Sequence, residues 1–193
     1  MKRLRRRNRE SGATLVEFAL VMPILLLLFI GIMEFGMSFY DFLTVEQAAR
    51  EGVRTAAFVG TAPDADCQAI SAVVAFLPNG FLDRVEYLAI YKANPDGSQD
   101  NTNTNRWRYA GGDPLDPCAD GSVNRWTVNN QPVSTSPPWP PIGRQTVSGS
   151  QPLDIIGIRI RMTHNWITGF PPFTGSYVID ESTILRMEPE VFG

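Results

Sequence analysis

The chain has 193 residues, which suits one anchored domain of ordinary size, and 44% of them are hydrophobic. Its net charge of -3 averages over a split: Lys2, Arg3, Arg5, Arg6, Arg7 and Arg9 crowd the N-terminus. Of 17 basic and 20 acidic residues, six and one precede Ala13, leaving 11 and 19 beyond it and a net of -8. Such a body lacks the clustered positive charge that nucleic acid requires, so nucleic acid is excluded as a partner.

The basic cluster runs directly into an apolar segment. Ala13 to Met33 holds one charge, and Phe18 to Met33 holds none. At about 1.5 Å per residue, 21 residues of helix cover roughly 30 Å, the thickness of a bilayer core. Cleavable secretory signals have a shorter apolar region followed by small residues at a cut site. Here the run ends in EFGMSFYDF, which offers none. We read a retained single-pass helix over 13–33. Basic residues flanking a span stay cytoplasmic, which places the N-terminus inside and the body outside.

Helical spacing continues past the span. Phe35, Phe39, Phe42, Val45 and Ala49 recur every three or four residues and predict an apolar stripe. Glu46 and Arg50 are an attractive i,i+4 pair, whereas Arg50 and Arg54 repel mildly. The pattern predicts one helix from Ala13 to about Val59, with Pro23 removing a backbone hydrogen bond inside it. Gly31 and Gly36 are five apart, so they do not form a strict small-xxx-small packing face.

Glu17 needs a reason to sit in this run, because an ionised carboxylate in a membrane helix is costly and usually has a partner. Taken alone, Gly12 could begin a helix and Glu17 could snorkel to the headgroups. A cut between Gly12 and Ala13 offers another answer. It would expose an amine with a pKa of about 8, one helical turn from Glu17. In a bundle of such helices, the amine of one chain would neutralise the carboxylate of the next and set axial register.

The basic leader, Gly12, then ATLVEF with Glu17 fifth and Phe18 sixth after the cut, resembles a type IV prepilin processing site. The wider stretch GATLVEFALVMPILLLLFIGIMEFGMSFYDFLTVEQAAREGVRTAA resembles the TadE-like family of tight-adherence (Flp-type) pilus assembly. The likeness covers about 50 residues, including Glu34-Phe35-Gly36 and Ala48-Ala49-Arg50-Glu51-Gly52. It implies a pseudopilin or minor pilin cut by a prepilin peptidase after Gly12. The implied partners are that peptidase, other pilins and pseudopilins, inner-membrane assembly proteins and the membrane itself. The implied location is the bacterial inner membrane, with pilus association open. Phe18 stands where the major pilins carry Tyr, and the chain is far longer than theirs, which favours a minor or assembly role.

Beyond Gly60 the composition changes. TAPDADCQAISAVVAFLPNG reads as a short helix capped by Thr61 with Asp64 as its box partner. Its apolar face would be Ile70, Val73, Val74 and Leu77, and Pro78 and Gly80 would end it. VEYLAIYKA (85–93) reads as a strand, NPDGS as a turn and RWRYA (106–110) as the hairpin partner. IIGIRIRMTHNW (155–166) and SYVIDESTILRM (176–187) are the clearest strands, with ITGFPPFTG as a loop between them. Ile156, Ile158, Ile160 and Met162 face one way and Arg159 and Arg161 the other, as in a half-solvated antiparallel sheet. Pro, Gly, Asn and Ser dominate 111–152, where a long excursion is expected.

The expected organisation is a leader over 1–12, a span over 13–33, a helical continuation over 34–59 and an extracytoplasmic domain over 60–193. The fold class is α+β, a long N-terminal helix running into a pilin-like domain with a small antiparallel sheet.

Cys67 and Cys118 are the only cysteines, both in the exported part, where a disulfide would persist. Closing a loop of that length is worth about 3 to 4 kcal/mol on the entropic model. His164 is the only histidine, and there is no Cys-x-x-Cys or GxSxG, so no metal, cofactor or enzymatic activity is expected. A lone histidine at a strand end is ordinarily a surface or packing residue. NPDGSQDN and DPLDPCADG are acidic turns whose oxygens could hold calcium, but neither has EF-hand spacing, and solvated turns are the favoured reading. The alternative to a pilus component is a membrane-tethered exported enzyme or binding domain on a prepilin-like anchor.

Overall fold

The computed structural model describes residues 10–109, 126–128, 131–132, 137–146 and 152–187. Helix α1 spans Glu10–Val59 with Pro23 inside it, and α2 spans Ala65–Phe76. The strands are β1 (Val85–Ala93), β2 (Gln99–Tyr109), β3 (Trp126–Val128), β4 (Gln131–Pro132), β5 (Ile155–Asn165) and β6 (Ser176–Arg186). They form one antiparallel sheet in the order β4-β3-β2-β1-β5-β6. The class is α+β, as the sequence predicts.

Two compact units divide the described chain. One comprises α1 as far as Phe39 together with residues 166–175; the other holds Tyr40–Asn165 and Ser176 onward.

In the second unit, the C-terminal part of α1 and helix α2 cover one face of the sheet. Residues alternate along a strand, and the inward set of β5 (Ile156, Ile158, Ile160 and Met162) is fully buried. It meets Leu88 and Ile90 of β1, Trp107 of β2, Ile70 and Val73 of α2, and Val45, Ala49 and Val53 of α1 in one core. Small residues bring the two helices close. A Cβ on Gly52 would lie 2.3 Å from Val73 Cγ2 and 2.9 Å from Ile158 Cδ1.

The apolar stripe expected along α1 divides. Val45 and Ala49 are buried, while Phe35, Phe39 and Phe42 are exposed. The buried face is built instead on Asp41, Val45, Ala48 and Gly52, a spacing of four, three and four. Bulk is unsuited to that face because a helix backbone passes close to the sheet there.

Three further expectations change. Asp64, not Thr61, stands at the N-cap of α2, and its carboxylate accepts a bond from Gln68 Nε2 rather than capping the helix. Strand β2 begins at Gln99, seven residues before the expected hairpin partner. The 111–152 excursion supplies β3 and β4 and the segment 137–146, which packs Trp139 and Arg144 into the interior.

Candidate functional site

The N-terminal residues of interest lie on the first turns of α1. Gly12 has open space around it, and the helix already runs through it from Glu10. Glu17 and Phe18 are exposed, as are their neighbours from Gly12 to Leu20. No described residue forms a hydrogen bond or ion pair with Glu17, so its carboxylate is presented outward. The helix is long and apolar enough to cross a membrane, with mean hydropathy 2.7 over its most apolar window and none of that window buried.

At the other end of the apolar run, the first unit contains a small built site. Glu34 is 1% exposed, and its carboxylate accepts backbone N–H bonds from Ile167 at 3.1 Å and Thr168 at 2.6 Å. Phe173 lies against Phe35 and Trp166, with ring centroids 5.5 and 5.3 Å away. It also covers Gly31, where a Cβ would sit 3.6 Å from its ring. Residues 31, 34 and 35 are one turn of helix, so a single loop caps a single patch.

In the second unit the polar groups are structural clamps. Asp41 Oδ2 lies 2.7 Å from Nδ1 of His164, and Arg84 donates to both carboxylate oxygens at 2.5 and 3.3 Å. A carboxylate only accepts, so Nδ1 of His164 carries the proton. The lone histidine is therefore a buried tie between α1 and β5, not a surface residue. Asp66 of α2 pairs with Arg144, both side chains being buried. Asn105 of β2 donates to Asp66 at 2.9 Å and to the Trp139 carbonyl at 2.8 Å, and accepts from the Trp139 N–H. The Arg144 guanidinium stacks 4.6 Å from the Trp139 ring. This cluster fastens the 137–146 segment to α2 and β2.

The far face of the sheet is charged. Arg159 donates to both oxygens of Asp180 at 2.6 and 2.7 Å, and Arg161 bridges Asp180 and Glu86. Those bonds, Arg159 foremost, hold the Asp180 carboxyl below its ordinary range. On the opposite face of β6, burial first and then Glu46 and Asp180 push Glu181 up. Asp96, in the turn after β1, accepts bonds from Ser98, and Asp100, at the start of β2, accepts bonds from Thr102 and Asn103 of its own strand. The second acidic turn, 113–121, lies outside the described residues. Cys67 on α2 is disulfide-bonded; Cys118, the other cysteine of the chain, lies outside the described residues.

A membrane-length helix that continues into a small α+β domain defines the class of the molecule. Residues 12–54 match the family model described as TadE-like protein, less than a quarter of the chain. The resemblance read from GATLVEF through Gly52 therefore holds over that stretch. No curated protein and no solved structure matches the chain.

Sequence reasoning missed Glu34, Asp41, Asp66, Asn105 and Arg144 as organising residues. A signal was present for two of them. Asp41 falls on the spacing of the buried α1 face, and Asp66 shares the face of Ala69, Ile70 and Val73. A carboxylate at a core-facing helix position calls for a buried donor elsewhere.

Proposed function

We propose that this chain is a minor pilin or pseudopilin acting in assembly of a tight-adherence pilus, processed by a prepilin peptidase after Gly12. The observation that carries the reading is the match of 12–54 to TadE-like proteins, with Glu17 exposed five residues beyond Gly12. Cleavage would leave Ala13 as the new N-terminus and give Glu17 a cationic partner on the adjoining subunit. The chain would be anchored once in the bacterial inner membrane, N-terminus cytoplasmic and residues 60–193 outside, among other pilins and assembly proteins. It would act as substrate and building block rather than as an enzyme, with a Cys67–Cys118 bridge bracing the exported domain.

Replacement of Glu17 by Ala tests this. The variant should insert into the membrane normally and fail to enter assemblies with the other pilus components, read by co-purification from cross-linked membranes. Normal incorporation would refute the pairing.

A further inference from the structure

Residues 166–175, WITGFPPFTG, carry no charged side chain. They pack with the outgoing end of the apolar helix as one unit. The contact reaches Gly31, which lies inside the uncharged run from Phe18 to Met33. If that run is in lipid, a loop touching Gly31 is at the level of the bilayer surface.

What the loop turns inward and outward fits that level. Inward, Phe173 closes on Gly31 and Phe35, and the amides of Ile167 and Thr168 satisfy the Glu34 carboxylate. A carboxylate at the end of a span thus finds hydrogen-bond donors within the chain, where water or a headgroup would otherwise supply them. Outward, Ile167 is 63% and Phe170 51% exposed, and Phe29, Ile32 and Phe39 of the helix in the same unit are exposed too. An uncharged patch of this kind on a folded protein marks a contact surface. Irregular backbone is not tolerated in the hydrocarbon centre but is accommodated at the interface, where aromatic rings gather.

We infer that the 166–175 loop is a second membrane contact, a non-spanning lobe that rests in the headgroup region beside the exit of α1, with lipid as its occupant. The inference rests on the single-pass reading above. The lobe would fix the depth and rotation of the helix through the Glu34 cap, with Ile167 and Phe170 immersed.

The test uses the full chain, disulfide intact, reconstituted in phosphatidylcholine–phosphatidylglycerol vesicles. Phe170→Cys is labelled with a bimane; the native side chain projects from the surface, so its loss leaves the packing in place. Loss of fluorescence to lipids carrying a nitroxide near the headgroup end of the acyl chain, with protection from aqueous iodide, is the expected result. Quenching by iodide and not by lipid, in protein that resists carbonate extraction, would overturn the lobe and leave the span standing. A label shielded from both quenchers is covered by protein, which also overturns the proposal. Protein released by carbonate would overturn the single-pass reading, and the lobe with it.

Discussion

The Glu34 carboxylate accepts the Thr168 N–H at 2.6 Å, joining residues 134 apart in the chain at the end of an apolar helix. The adjacent Ile167 N–H makes the second bond at 3.1 Å. A helix carboxylate here acts as the anchor for a loop whose own backbone has two donors in a row. Glu34→Ala removes the acceptor of both N–H groups in this part-buried contact, at about 0.5 to 1.5 kcal/mol for each bond lost. The Ile167 and Thr168 amides should then exchange with deuterium faster, while those of β5 and β6 keep their protection. Unchanged exchange at 167 and 168 would show that the carboxylate does not hold the loop.

Gly31 offers a graded version of the same question. A Cβ there meets the Phe173 ring at 3.6 Å, ordinary contact distance. Gly31→Ala should leave the loop seated, whereas Gly31→Leu has no room and should displace Phe173. Near-ultraviolet circular dichroism from the Phe35, Trp166 and Phe173 cluster reads the difference. Equal spectra for the two variants would contradict the packing.

The buried Asp66–Arg144 pair makes a different kind of prediction. Removing one partner leaves a buried charge without its counter-ion, so Arg144→Ala should destabilise the α+β unit by about 3 to 5 kcal/mol. Asp66→Leu combined with Arg144→Met should recover most of that loss, because an apolar pair carries no desolvation cost. Thermal unfolding of the full chain in detergent, followed by circular dichroism, distinguishes the cases. A double variant as unstable as Arg144→Ala would mean that the charges themselves are required.

Gly52 tests how closely α1 is packed. An added methyl collides with Val73 and approaches Ile158, and overpacking of this kind costs about 1 to 3 kcal/mol. Gly52→Ala should lower the melting temperature, and Val73→Ala in the same chain should restore part of it. If the second change only adds to the loss, the two side chains do not share the space.

Acid and base act oppositely on two neighbours in β6. The Asp180 carboxyl is lowered by Arg159, so its contribution is present at neutral pH and is lost as pH falls through its depressed value. Glu181 is raised by burial, so the folded state binds its proton more tightly than the unfolded chain does. Its penalty is absent at low pH and appears as pH rises through the raised value. Glu181→Gln should therefore raise the melting temperature at pH 7 and leave it little changed at pH 4. A variant less stable at pH 7 would contradict the assignment.

Periodicity explains which parts of this fold were legible. Ile156, Ile158, Ile160 and Met162 alternate without interruption, and β1 and β5 lie where their patterns place them. The first half of β2 reads QDNTNTN, with Asp or Asn, types depleted in strands, at four of its seven positions, and it is extended because β1 supplies the ladder. Local propensity cannot reveal that. Nor can it reveal Asp41 with His164, 123 residues apart, or Asp66 with Arg144, 78 apart, since such pairs are set by topology. The phenylalanines of α1 misled for a related reason. Phe35, Phe39 and Phe42 have core-like spacing, but the core under the sheet takes Val45, Ala48, Ala49 and Gly52 instead, and these rings stay largely exposed. At the N-terminus the reverse holds: Gly12, Glu17 and Phe18 are legible as a motif in the sequence, and the fold leaves them exposed.

The reading of this chain as a pilus building block turns on the fate of its first twelve residues. N-terminal sequencing with intact-mass measurement of the protein recovered from its native membranes tests it most directly. A chain beginning at Ala13, lighter by Met1 to Gly12, is the predicted result. A chain that retains the basic leader would contradict it.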